Sequence, residues 1–217
     1  KVAIFRENEL IIQENLSHSV EVLSKYDHIT DQFDFRTDMI LTWYEALGYH
    51  LSSLRAVIGR GGFLKPIPSG IFEGTDAMMG DLKTGVQSQH ASNLGGLIAD
   101  LIARRAGTKA YIADPVAVDE FDEIARVSGI PEIKRKSLVH ALNIRAIAHR
   151  YGNEQNRDIS EMNLIVVHIG GGISVASMIR GKIRDVNNAN EMGPFSPERA
   201  GSLPVGDVVK MCFSGQY

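Results

Sequence analysis

The chain has a single cysteine, Cys212, and a single tryptophan among its 217 residues. One cysteine excludes an intramolecular disulfide and a thiolate metal cage, and it suits a reducing compartment. No apolar run approaches the roughly 20 residues that a membrane span requires, and no signal-peptide pattern opens the sequence. Basic excess is missing as well. Lys and Arg total 23 against 26 Asp and Glu, a net charge of -3, so nothing marks an electrostatic footprint for nucleic acid. These absences lead us to expect a cytoplasmic protein that engages neither membrane nor nucleic acid. Low-complexity segments and long linkers are lacking too. So is any G-x-x-x-x-G-K-[ST] phosphate loop.

Glycine, by contrast, is plentiful, and its most informative use lies in residues 163–188, NLIVVHIGGGISVASMIRGKIRDVNN. Leu164 to Ile169 is a β-branched apolar run and reads as a buried strand. Gly170, Gly171 and Gly172 follow. Ile173 to Met178 reads as a second strand, Arg180-Gly181 as a tight turn, and Lys182 to Val186 as a third strand. A dinucleotide fingerprint would open a helix at this point, whereas here a strand follows. Three glycines expose backbone N–H groups with no side chain in the way, which suits a phosphate. The same triplet also fits a hairpin bend that binds nothing.

Elsewhere, strand and helix patterns alternate, which predicts an α/β fold. Strands are expected at Val2 to Phe5, Leu10 to Gln13, Leu54 to Ile58 and Lys109 to Val118. Helices are expected at 19–26, 29–48, 81–106, 119–127 and 137–151. Residues 63–72 hold two prolines among apolar side chains and read as a rigid loop. The chain starts with Lys1 inside a strand pattern, so an N-terminal cut is expected.

One internal comparison adds to this. Residues 1–10, KVAIFRENEL, align with residues 174–183, SVASMIRGKI: Val-Ala in a strand, a polar turn, then a second strand. The copies lie 173 positions apart. The second is preceded by the glycine triplet. The corresponding place in the first falls before Lys1, which would then end a second phosphate loop.

Paired phosphate hairpins describe the superfamily of acetate and sugar kinases, heat-shock chaperone ATPases and actin. Six longer runs narrow it: AVIGRGGFLKPIPSGIF (56–72), HASNLGGLIAD (90–100), YIADPVAVDEF (111–121), RKSLVHALNIRAIAHRYG (135–152), LIVVHIGGGISVAS (164–177) and GPFSPERAGSLPVGDVV (193–209). In this order they closely resemble the butyrate kinase family, relatives of acetate kinase. The resemblance implies two RNase H-like domains with a cleft between them. Residues 1–160 would form the acyl-substrate domain, and 161–217 the start of the nucleotide domain. It also implies chain missing at both ends and a homo-oligomer. The implied reaction phosphorylates a short-chain carboxylate with ATP and Mg²⁺. An ATP-binding switch module of the actin type, or an inactive fragment of the kinase, is the alternative.

The resemblance further implies roles for individual residues. Asp114 would orient Mg²⁺, directly or through water, or else cap the turn before Pro115. Arg60, flanked by Gly59, Gly61 and Gly62, would bind carboxylate or phosphoryl oxygens. The loop after it would wall the acid's tail. His140 and His168 match histidines that face the transferring phosphoryl group, although a histidine on an apolar strand also fits a plain core role. His90 and Asn93 would contact substrate or cap a helix. Gly170 to Gly172, with Lys1, would bind phosphate. Acetate kinases carry a catalytic arginine just before a Gly-Asp pair. Here Pro204-Val205 precede Gly206-Asp207, and Arg199 is the nearest substitute.

Overall fold

The computed structural model describes residues 1–216. It divides into two compact units. Unit 1 comprises Lys1–Phe63 and Phe72–Ile112, and unit 2 comprises residues 64–71 and everything described from Ala113 on. The domain boundary expected at 160 thus falls inside unit 2. The physical reason is packing: residues 139–148 share one buried core with the strands that follow 163.

Unit 1 starts with a hairpin of β1 (Val2–Arg6) and β2 (Glu9–Glu14), followed by the short helix α1 (Val20–Leu23). A 3₁₀ turn, Ile29–Gln32, leads into α2 (Phe33–Ala46), and Gly48 ends that segment at φ +80°. β3 (Ala56–Arg60), β4 (Ile71–Glu73) and β5 (Lys109–Ala113) form a sheet in the order β3-β5-β4. The long helix expected over 81–106 is two helices, α3 (Asp76–Thr84) and α4 (Asn93–Ala106). Gly85 takes the left-handed conformation at φ +66° and terminates α3. Leu41, Leu94, Ile98 and Ile102 make the core, with Phe33, Ile40 and Val57 against it.

His18 carries a pH dependence for this unit. Its Nδ1 is buried without a hydrogen-bond partner, and its ring lies 5.3 Å from that of Phe35. Burial first, then the charge of Arg36, hold its pKa below the ordinary 6.5. A histidine depressed in the folded state favours folding while neutral, and that contribution drains away as pH falls below its unfolded value. Unit 1 is therefore expected to lose stability below about pH 6.5, and His18→Leu to flatten that slope. Urea titrations at pH 5 and pH 7.5 check this; equal slopes in both proteins would reject it.

In unit 2 the strand expected to reach 118 stops at Ala113, because Asp114 turns to φ +34° ahead of Pro115. The helix expected over 119–127 is only a 3₁₀ turn, Glu123–Arg126. The Asp119 carboxylate instead accepts from the Phe121 N–H at 3.2 Å and from two Arg126 nitrogens at 2.8 and 3.0 Å, local bonds that compete with a helix. Residues 137–140 are not helical either. The Val139 N–H donates to the Val116 carbonyl, and the Ser137 hydroxyl to that of Val118. α5 therefore runs Ala141–Glu154. β6 (Asn163–Ile169), β7 (Ile173–Ile179) and β8 (Lys182–Val186) form an antiparallel sheet, and α6 (Val205–Cys212) follows. Ile144, Ala148, Ala176, Met178 and Ile183 lie in the core beneath α5.

The internal repeat extends to register. Ala3 pairs with Gln13, Ile4 with Ile12, Phe5 with Leu10 and Arg6 with Glu9. Adding 173 to each number gives the pairs of the other hairpin: Ala176 with Val186, Ser177 with Asp185, Met178 with Ile183 and Ile179 with Lys182. The register shift falls at Ile4/Phe5 in one and at Ser177/Met178 in the other. Glu7 and Arg180, also 173 apart, both have positive φ, +54° and +50°.

Candidate functional site

The glycine triplet closes the β6–β7 hairpin. Pairing runs unbroken from Asn163 with Ile179 to Ile169 with Ile173, and the Gly170 N–H donates to the Gly172 carbonyl at 3.1 Å. None of the three has positive φ, so backbone twist does not demand glycine here. Space does. A Cβ on Gly170 would lie 3.0 Å from His168 Nε2. One on Gly171 would lie 2.6 to 2.7 Å from the Glu198 carboxyl atoms, and one on Gly172 would lie 3.2 Å from His140 Cε1. Two imidazoles and a carboxylate therefore press on a loop with no side chains of its own.

The imidazoles are stacked, with ring centroids 3.9 Å apart and planes 10° from parallel. Each ring is held at its δ nitrogen. His140 Nδ1 lies 2.9 Å from Ser174 Oγ, and His168 Nδ1 lies 2.7 Å from Asn143 Nδ2. Ser174 is fully buried at the start of β7, and its Oγ also accepts the His140 backbone N–H at 3.4 Å. Asn143 stands in the first turn of α5, one turn from His140.

A short turn docks on the same loop. The Gly171 carbonyl accepts from Ser196 Oγ at 2.6 Å and from the Glu198 N–H at 3.3 Å. Arg199 is next in sequence. Its guanidinium donates to the Glu198 carbonyl at 2.9 Å and lies 3.6 Å from the Glu198 carboxylate. His140, His168, the triplet and Arg199 are thus brought together within unit 2.

Asp114 is a different case. Its carboxylate accepts the Gly70 N–H at 2.8 Å and pairs with Arg145 Nε at 3.2 Å. Arg145 in turn donates to the Gly181 carbonyl at 2.8 Å. Both side chains are largely buried, at 15% and 16% exposure. The carboxylate expected to orient a metal is thus neutralised by an arginine. Among the described residues, no group of three or more His, Cys, Asp or Glu side chains is arranged to hold a metal ion.

The remaining predicted residues belong to unit 1. Lys1 is exposed just before β1. Arg60 ends β3 and is exposed, while Gly61 and Gly62 are buried. Asn93, expected to touch substrate or cap a helix, has its amide engaged by backbone groups, one of them in the last turn of α3. It is 1% exposed, its Oδ1 accepts the Phe63 N–H at 2.9 Å, and its Nδ2 donates to the Leu82 and Ser88 carbonyls. It fixes the loop after Arg60. His90 is exposed, its ring 5.3 Å from that of Phe63, with Nδ1 2.8 Å from Ser92 Oγ. The 63–72 loop, expected to wall the acid's tail, starts with Phe63 and, already in unit 2, Leu64, both packed inside at 4% and 2% exposure.

Sequence reasoning missed Ser174, Asn143, Arg145 and Glu198. A signal existed for two of them. Ser174 lies two residues past the triplet, and Asn143 stands three residues after His140, the spacing that shares a helix face.

No protein-family model matches the chain. Over its whole length it is 52% identical to butyrate kinase 2 and 50% identical to butyrate kinase 1, both of Clostridium acetobutylicum. It is 49% identical to a probable butyrate kinase 2 of Caldanaerobacter subterraneus subsp. tengcongensis. The chain spans 61% of the length of each of these relatives. Among solved structures it resembles acetate kinase from Porphyromonas gingivalis, with TM-score 0.66 and 18% identity over 84% of this chain and 50% of that one. It also resembles a propionate kinase from Francisella tularensis subsp. tularensis, with TM-score 0.62 and 16% identity over 87% and 50% of the two chains. The fold is therefore that of the acetate and propionate kinases, in about half of such a chain.

Proposed function

We propose that this chain, homologous along its whole length to butyrate kinases, belongs to a short-chain carboxylate kinase. One carboxylate oxygen of the acid forms a bond to the γ-phosphorus of ATP, and the bond from that phosphorus to the bridging oxygen of ADP breaks. The products are an acyl phosphate and ADP. The nucleophile is already ionised at neutral pH, so no strong base is required. The protein's task is to position the reactants and to balance charge on the phosphoryl oxygens.

The glycine loop carries this reading. Side chains are excluded from it by contact and not by backbone twist, as suits a loop that must admit a phosphate closely. His140 and His168 flank it as hydrogen-bond donors, and Arg199 supplies a cation beside it. Arg60 is the candidate carboxylate ligand in unit 1. Mg²⁺ would enter with the nucleotide phosphates. With Asp114 paired to Arg145, the described residues offer no direct metal cage, so we route no step through the ion.

Steady-state assays of the protein with ATP, with and without butyrate or isobutyrate, test the proposal. ADP formation should depend on the acid, and hydroxylamine should trap an acyl hydroxamate. Turnover indifferent to every carboxylate would overturn it.

A further inference from the structure

We infer that Asn143 and Ser174 are positioning residues that hold His168 and His140 as neutral tautomers protonated on Nε2. Both rings then offer N–H donors to an oxyanion at the glycine loop. The inference deepens the kinase proposal and rests on it for the identity of the oxyanion, a phosphate or phosphoryl group.

The partner at each Nδ1 carries the assignment. Asn143 Nδ2 can only donate, so His168 Nδ1, 2.7 Å away, must accept. A neutral ring with Nδ1 as acceptor carries its proton on Nε2. Ser174 Oγ accepts the His140 backbone N–H, and with its own proton directed at His140 Nδ1 it meets both partners inside the protein. That ring too is protonated on Nε2. Each Nε2 faces the loop: it lies 3.0 Å from the Cβ position of Gly170 for His168, and 3.6 Å from that of Gly172 for His140. Parallel stacking at 3.9 Å keeps the two donors side by side. Ser174 has no solvent exposure, so water does not compete for its bond to the ring. The arrangement spends one side chain per histidine on proton placement, since imidazole tautomers are set by whatever binds the other nitrogen.

Long-range ¹⁵N–¹H correlation NMR of the labelled protein at pH 8 reads both tautomers directly. Both rings should give the Nε2–H pattern, and added inorganic phosphate should shift the Nε2 resonances more than the Nδ1 resonances. In Asn143→Asp the new carboxylate accepts only, so His168 should switch to the Nδ1–H pattern while His140 keeps its own. Carboxylate-dependent kcat should fall about tenfold or more, a cost near 1.4 kcal/mol in the transition state, with KM for ATP within about twofold. Asn143→Gln, which restores a donor, should recover the Nε2–H pattern and part of the rate. An Nδ1–H pattern on either ring of the unaltered protein, or an unmoved His168 in Asn143→Asp, would overturn the inference. Phosphate shifts confined to Nδ1 would do the same. The tautomers can be read whether or not the protein turns over a carboxylate, so failure of the kinase proposal would be seen separately.

Discussion

Gly59→Ala is expected to destabilise the protein by about 3 kcal/mol, the upper part of the usual range for overpacking. An added Cβ would lie 2.4 Å from the Gly95 carbonyl oxygen, 2.8 Å from its carbon and 3.0 Å from Ala99 Cβ. The contact is reciprocal, because a Cβ on Gly95 would lie 2.5 Å from the Arg60 carbonyl oxygen. Strand β3 therefore rests on helix α4 backbone to backbone. No flexible side-chain tip can give way, so the strand itself must move, and Arg60 with it. Gly80→Ala is the matched control. That glycine sits in α3 with open space where its Cβ would go, so alanine should stabilise by about 0.5 to 1 kcal/mol. Urea unfolding followed by circular dichroism measures both. A Gly59→Ala midpoint equal to that of the unaltered protein would contradict the packing argument.

The second large effect belongs to Arg145. Removing it as Arg145→Met leaves the Asp114 carboxylate largely buried with only the Gly70 N–H to offset its charge. Breaking such a pair costs about 3 kcal/mol or more. Replacing both partners, Asp114→Asn with Arg145→Met, should return at least half of that loss, because no uncompensated charge is left. Thermal and urea unfolding of the two single variants and the double variant form the cycle. Additive losses would mean that the two groups do not act as a pair. The cycle also bears on a metal role. If Asp114 works mainly through Arg145, its loss should show in stability at least as strongly as in the dependence of turnover on Mg²⁺.

These two sites differ in how far the sequence reveals them. The β6–β7–β8 stretch was legible almost to the residue, because β-branched runs, a glycine triplet and a tight turn each act locally. The hairpin repeat was legible for the same reason, although identical register required coordinates. The helices around it were not. Local bonds of Asp119 with Phe121 and Arg126 leave only a 3₁₀ turn in 119–127, and the pairing of 137–139 with 116–118 delays α5 by four residues. Those outcomes rest on partners that no window of sequence contains. The same holds for the site. His140, His168 and the triplet stand out by type and spacing. The stacking of two rings from positions 28 apart does not, nor does the arginine that claims Asp114 from 31 residues away. The type of Asn93 suits a surface donor, whereas its amide is engaged by three backbone groups.

The repeated hairpin has a consequence for folding. Each copy closes between residues at most 12 apart, so each can zip within about 1 to 10 μs and before any long-range packing. Both units thus possess a fast local nucleus. Yet the two nuclei share bulge position, turn offset and ladder register, so strand β1 matches the pairing geometry of β8 as well as that of β2. Mispairing between copies would build a ladder of correct register in the wrong topology. Kinetics stands against it. A turn of two residues closes far more often than a loop spanning most of the chain, and each hairpin is complete before its counterpart can compete.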